Sequence, residues 1–209
     1  MPGDKPFDRM KYWDEVYSSK PSTELGWYQR HPEISLSLIE KLTPGLDAGI
    51  IDVGGGDSSL TEFLLQRGFN DLSVLDVSKN AIDKSRVRLG PQGALVDWIT
   101  TDIVDFKPRR RYDLWHDRAC FHFLTSKEEV SRYVQLTHEA LEAGGHLIIG
   151  AFSVNGPERC SGLPVHRYDK QDLEEVFSGF ELIEHRYLVH HTPTGNEQNY
   201  IFCLFKAKQ

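Results

Sequence analysis

A doubly wound α/β fold, with a mostly parallel sheet, helices on both faces and an antiparallel finish, follows from three features of the sequence. Short apolar runs alternate with amphipathic stretches between residues 50 and 152. Such alternation builds βαβ units, and these units build a parallel sheet covered on both faces. A glycine turn, Gly54-Gly55-Gly56, directly follows the first apolar run. Near the end, two runs of strand character are joined only by the turn-bearing segment "LVHHTPTGNEQ". They therefore pair with each other as an antiparallel hairpin.

Taken in order, residues 12–17 predict a short helix, with a turn-rich stretch to residue 23. Residues 31–42 predict a helix, because Pro32 suits a first turn and Ile34, Leu36, Leu38, Ile39 and Leu42 recur near helical spacing. Strands are predicted over 50–53, 72–77, 96–100, 112–116, 146–152, 180–187 and 199–206, seven in all. Helices are predicted over 58–67, closed by Gly68, and over 79–89, ended by Gly90-Pro91. Two more cover 128–141, closed by Ala143-Gly144-Gly145, and 170–177, with Asp169 as cap.

The 209 residues suit one domain with a small appendage, able to bury a core without disulfides or metal. A net charge of −7 argues against general affinity for nucleic acid or anionic membrane. Cys120, Cys160 and Cys203 are odd in number and form no CxxC pair. That argues against a disulfide framework or a zinc ribbon and for a reducing compartment, with a cytoplasmic location expected. No apolar run approaches the ~20 residues of a membrane span. The start of the chain lacks the apolar core of a secretory signal, and its first eight or so residues are expected to be mobile.

The glycine loop has several readings. A nicotinamide fingerprint needs G-x-G-x-x-G, but Ser59 stands where the third glycine belongs. A P-loop needs Gly-Lys-Ser/Thr, and no lysine follows. Asp52, just before the glycines, would repel a diphosphate and suit a cationic ligand. Asp76 ends the second strand, 20 residues after Gly56, where an acid accepts from ribose hydroxyls. Asp102 ends the third and could accept from an amine such as adenine N6. Three strand ends thus offer acids to a cationic tail, a ribose and an amino-purine.

These residues resemble the class I S-adenosylmethionine-dependent methyltransferases. Asp52-Val53-Gly54-Gly55-Gly56-Asp57-Ser58 is similar to the family's acid-G-x-G-x-G motif, with Ser58 in place of the last glycine. Asp76 falls on the ribose acid, and Asp102 with Ile103 on the adenine-contacting position. "YDLWHDR" (112–118) resembles the strand whose end faces the transferred methyl, and "LEAGGHLIIGAF" (141–152) the element that follows. The resemblance implies a Rossmann-like seven-stranded fold and S-adenosylmethionine as cofactor, with S-adenosylhomocysteine as product. The implied cofactor-binding residues are Trp13, Asp52, Gly54, Gly55, Gly56, Asp57, Ser58, Asp76, Val77, Asp102, Ile103 and His116. It also implies that residues 1–30 form an aromatic lid and that 31–209 form the methyltransferase domain.

Methyl transfer from a sulfonium is an in-line displacement, so alignment matters more than a base. Candidate catalytic residues are His116, Asp117 and Arg118 in "WHDRACFHFL". His116 either titrates usefully or only lends its backbone to the pocket. Arg118 either binds an acidic substrate or pairs with Asp117. Cys120 reads as a small buried residue, and His122 and Phe123 as packing. Tyr12, Trp27 and Tyr28 are candidates for substrate binding, since aromatic faces attract sulfonium and methylammonium groups. Tyr17 reads as packing. His185, His190 and His191 lack ligand spacing for a metal, and no metal is expected. The basic run Lys107-Pro108-Arg109-Arg110-Arg111 reads as a solvated turn opposite the site.

Residues 151–169 are the main insertion and could line the acceptor side. So compact a chain fits a small-molecule N-, O- or S-acceptor. It also fits a protein lysine acceptor, because "YWDEVY" resembles the start of several such enzymes. A family member that keeps its cofactor without turnover is a third reading. The Asp/Asn-Pro-Pro-Tyr/Phe signature is absent after the fourth strand, which disfavours nucleic-acid bases and glutamine as acceptors.

Overall fold

The computed structural model describes residues 7–42 and 44–208. Most of the first eight residues, where mobility is expected, lie outside the described residues. Two helices come first, α1 (Arg9–Ser19) and α2 (Glu33–Lys41). Then follow β1 (Ile50–Val53), α3 (Leu60–Gln66), β2 (Leu72–Asp76), α4 (Lys79–Leu89), β3 (Val96–Thr100), β4 (Tyr112–Arg118), α5 (Lys127–Ala140) and β5 (Leu141–Phe152). A small hairpin of β6 (Arg159–Cys160) and β7 (Leu163–Pro164) precedes α6 (Lys170–Val176), β8 (Phe180–His191) and β9 (Glu197–Ala207).

Seven strands form one sheet in the order β3-β2-β1-β4-β5-β9-β8. The first five pair in parallel, while β9 lies antiparallel between β5 and β8. The order reverses between β1 and β4, and the ends of these strands form the crevice in which such sheets bind ligands. Both faces are covered. Ile51, Val53, Trp115, Leu147 and Ile149 meet Tyr133 and Leu136 of α5 on one side. Ile50, Val74, Leu114 and Ile148 meet Leu36, Ile39, Leu60 and Leu64 of α2 and α3 on the other. Because successive side chains of a strand face opposite ways, each strand feeds both cores and must be apolar almost throughout.

The element boundaries depart from the expected ones where long-range pairing overrides local pattern. β8 runs to His191 rather than to 187, because its register with β9 continues to Glu197. Only residues 192–196 are left to turn, with Gly195 at φ +83°. β4 likewise continues two residues past His116, held by parallel pairing of Asp117 and Arg118 to Ile149 and Gly150. The helix after the glycines starts at Leu60, with Gly55 to Ser58 spent on a turn. The basic run ends at the start of β4, at the opposite edge from the strand ends that form the crevice. There Arg110 pairs with Asp71 at 2.6 Å, and Arg111 donates to the Leu141 carbonyl at 2.5 Å.

Candidate functional site

Glycine is required in the loop after β1 for contact as much as for conformation. Gly54 has φ +66°, and a Cβ there would lie 2.5 Å from Cβ of Cys120. A Cβ on Gly55 would lie 2.6 Å from Oδ2 of Asp52. One on Gly56, at φ +40°, would lie 2.7 Å from Oδ2 of Asp76 and 2.9 Å from the Tyr17 hydroxyl. The bare backbone is therefore pressed between two acids, which no side chain at these positions would allow.

Two cavities flank this loop. One, of about 580 Å³, contains Asp52, Gly54, Gly55, Asp57, Ser58, Tyr28 and His116 in its walls. The other, of about 720 Å³, is lined by Trp13, Asp76, Val77, Asp102, Ile103 and Cys120 among others. Tyr17, Trp27, Gly54 and Arg118 line both and form the waist between them.

The acids are held in different ways. Asp52 is buried at the end of β1 and takes Nδ1 of His116 at 2.7 Å on Oδ1, while Oδ2 has no protein partner. Nε2 of His116 lies 2.9 Å from the Ser35 hydroxyl on α2. A neutral imidazole satisfies both contacts by donating from Nδ1 and accepting at Nε2. Asp76 accepts from the Ser78 amide at 2.7 Å. Burial pushes its carboxyl up to about 7, and the charges of Asp52 and Asp14 add to that push. Asp102 accepts from the Val104 amide at 3.2 Å and from Arg9 at 3.3 Å, and Arg9 also pairs with Glu129. Asp57 is tied to Arg88 and to the Ser22 hydroxyl.

The three residues expected to be catalytic part company. His116 is buried with both ring nitrogens engaged, so it steadies Asp52 rather than reaching a substrate. Asp117 lines neither cavity. It is fully buried under the turn after β4, where it accepts from the Cys120 and Phe121 amides at 3.0 and 3.1 Å and from the Tyr133 hydroxyl at 2.5 Å. Its carboxylate is thus spent on holding the turn, and it makes no pair with Arg118. Arg118 lines both cavities and donates from Nη1 to the Trp27 carbonyl at 2.9 Å.

Among the aromatic residues, Trp27 and Tyr28 line the cavities, whereas Tyr12 does not. The Tyr12 hydroxyl instead donates to the Ser161 carbonyl and ties α1 to the β6–β7 hairpin. Tyr17, read from the sequence as packing, stands at the waist. Burial raises its phenol well above the usual range, and the charge of Asp76 adds to this. Cys120 and Cys160 also enter the second cavity wall, although nothing in their spacing marks them. The only signal for Tyr17 was its place one turn after Trp13, on the same helix face. His190 is spent on the Gly26 carbonyl at 3.0 Å.

A Cβ-free cradle, a buried Asp52 oxygen without a partner and a chain of strand-end acids fit a ligand with a cationic tail, a sugar and a base. Comparison with known proteins agrees. The family described as "Methyltransferase domain" matches residues 51–147. A mouse protein named eEF1A lysine and N-terminal methyltransferase is 22% identical over 147 residues, 70% of this chain and 21% of its own length. The chain thus spans about a fifth of that relative. Malonyl-[acyl-carrier protein] O-methyltransferase 1 of Ilyobacter polytropus is 24% identical over 104 residues, 49% of this chain and 37% of its own. The crystal structure of Burkholderia thailandensis 1,6-didemethyltoxoflavin-N1-methyltransferase, with bound S-adenosylhomocysteine, superposes with a TM-score of 0.72 at 16% identity. That match covers all of this chain and 94% of the other. The matched domain, the strand order with its antiparallel β9 and the glycine cradle between acids give the chain the Rossmann-like methyltransferase fold.

Proposed function

We propose that this protein methylates a small molecule. The observation that carries the reading is the wall of Trp13, Tyr17, Trp27 and Tyr28, which sets aromatic faces around the two cavities beside the glycine loop. The short β6–β7 hairpin adds Cys160 to that wall and brings no separate substrate domain.

When bound, S-adenosylmethionine supplies a methyl group already activated on a sulfonium. In this reading Gly54, Gly55 and Gly56 seat the cofactor, with Asp57 and Ser58 closing the turn. Oδ2 of Asp52 takes the ammonium, and His116 keeps that carboxylate aimed through its link to Ser35. Asp76 with Val77 takes the ribose, and Asp102 with Ile103 borders the base. The four aromatic residues exclude water and shape the acceptor space, while Arg118 meets the acceptor. His116, in the cavity wall, has both ring nitrogens engaged and is not free to act as base, which suits an acceptor that arrives as an anion or a neutral amine.

A screen with methyl-labelled S-adenosylmethionine tests the reading. Separate incubations with a metabolite extract and with lysate proteins should put label into the small-molecule fraction. Label confined to protein lysines would favour the protein acceptor named in the mouse relative and overturn the proposal.

A further inference from the structure

Arg118 carries an unusual load. Nη1 is spent on the Trp27 carbonyl, but Nε and Nη2 are buried with no protein acceptor. No acid pairs with this guanidinium among the described residues, and its plane lies over the Tyr200 ring with Cζ 5.0 Å from the centroid. The Tyr200 hydroxyl and Nε2 of His122 are likewise buried and unpartnered. A buried cation is costly without an anion, and an aromatic face offsets only part of that cost.

The free edge has a definite chemistry. The Nε and Nη2 hydrogens of a guanidinium project in parallel, and two parallel N–H groups match the two oxygens of one carboxylate. The surroundings of the guanidinium also matter. Tyr200 lies on β9 opposite Phe152 of β5, and Cys160 lies on the hairpin. Tyr200 stands on the β5–β9 half of the sheet, away from the acids at the ends of β1 and β2 and after β3. Arg118 thus lines both cavities with its guanidinium on the β9 side of β4.

We propose that the acceptor is a small carboxylic acid whose carboxylate is seated on the Nε–Nη2 edge of Arg118. This rests on the small-molecule reading above and names its substrate class. A cationic lysine side chain would meet repulsion at the same wall.

The test is thermal melting of the protein saturated with S-adenosylhomocysteine, using acetate, benzoate and malonate against acetamide, benzamide and malonamide at matched ionic strength. At least one acid should raise the melting temperature while its amide does not. The shift should vanish in Arg118→Gln and persist in reduced form in Arg118→Lys, which keeps the charge but not the fork. In the labelled-donor assay, the acid that binds should show a KM at least tenfold higher for Arg118→Gln, with S-adenosylhomocysteine affinity changed less than threefold. Wild-type protein that responds equally to acids and amides, or to none of them, overturns the proposal. So does response to phenyl phosphate alone. A large loss of S-adenosylhomocysteine affinity in Arg118→Gln would also overturn it, by assigning the edge to the cofactor's own carboxylate. Label transferred only to lysine peptides would instead count against the small-molecule reading, and the melting shift still judges the Arg118 site separately.

Discussion

Asp76 shows how one buried acid can link pH to ligand binding. With its carboxyl raised to about 7 by burial, the folded chain keeps a proton that the unfolded chain loses near pH 4. The sign follows: its contribution to stability is fully present below the unfolded value and is lost as pH climbs through about 7. Ligand hydroxyls donate to the ionised form, so binding at this acid expels the proton. S-adenosylhomocysteine should therefore bind about tenfold more tightly at pH 8 than at pH 6, with proton release seen by calorimetry in buffers of different ionisation enthalpy. Asp76→Asn should remove that slope and weaken binding at pH 8 by about 1.5–3 kcal/mol. A wild-type affinity independent of pH would refute the assignment. His116 illustrates the opposite case, a titratable residue in the right place whose two nitrogens are already committed.

At the scale of the element, the turn after β4 decides what the site presents. Trp115 Nε1 donates to the Tyr133 hydroxyl at 2.9 Å, and Tyr133 donates to Asp117. Asp117 in turn gathers two amides of the turn. Ala119 is held at φ +67°, a left-handed conformation that costs a non-glycine residue about 1–2 kcal/mol. The buried network sustains this strain and thereby projects Arg118 and Cys120 into the cavities. Tyr133→Phe should cost about 1–3 kcal/mol in urea unfolding, since it leaves a buried carboxylate oxygen short of a donor. Ala119→Gly should raise stability by up to about 1 kcal/mol in the same urea unfolding, because relief of the left-handed strain exceeds glycine's extra chain entropy.

For the whole molecule, α1 is the element that closes the site. An 11-residue helix is marginal alone and depends on what it packs against. Asp14 accepts from the Ser78 hydroxyl at 2.6 Å and from the Asn80 amide at 3.0 Å, which joins α1 to the start of α4. Trp13 packs edge-on against Trp27 and Phe123, with centroids 5.7 and 5.0 Å away. Arg9 joins Asp102 and Glu129 at the far end. A ligand filling the two cavities would bind across this seam and stabilise the native state as a whole. S-adenosylhomocysteine at a hundred times its Kd should add about 2.7 kcal/mol, or roughly 5–10 °C in melting temperature, whereas NAD and ATP should add nothing. The amides of α1 should gain protection from hydrogen exchange in the same complex, and an equal shift with NAD would point to a different nucleotide. Among the described residues no helix is long and apolar enough to cross a membrane.

What the chain's own letters settled was local. Apolar periodicity marked seven strands and most helices, because backbone pairing and burial repeat every two or 3.6 residues. Asp52, the glycines, Asp76 and Asp102 were legible for a related reason: each sits at a strand end, and a parallel sheet brings strand ends to one edge. Tertiary packing alone decided the orientation and partnership of side chains. His116 meets Ser35 across 81 residues of sequence, Arg9 meets Asp102 across 93, and Arg118 meets the Tyr200 ring from the far side of β5. Asp117 and Arg118 are adjacent in the chain yet face opposite environments, since neighbours on a strand point to opposite faces. One is spent on the core, and the other lines the waist of the site with Nε and Nη2 unpaired.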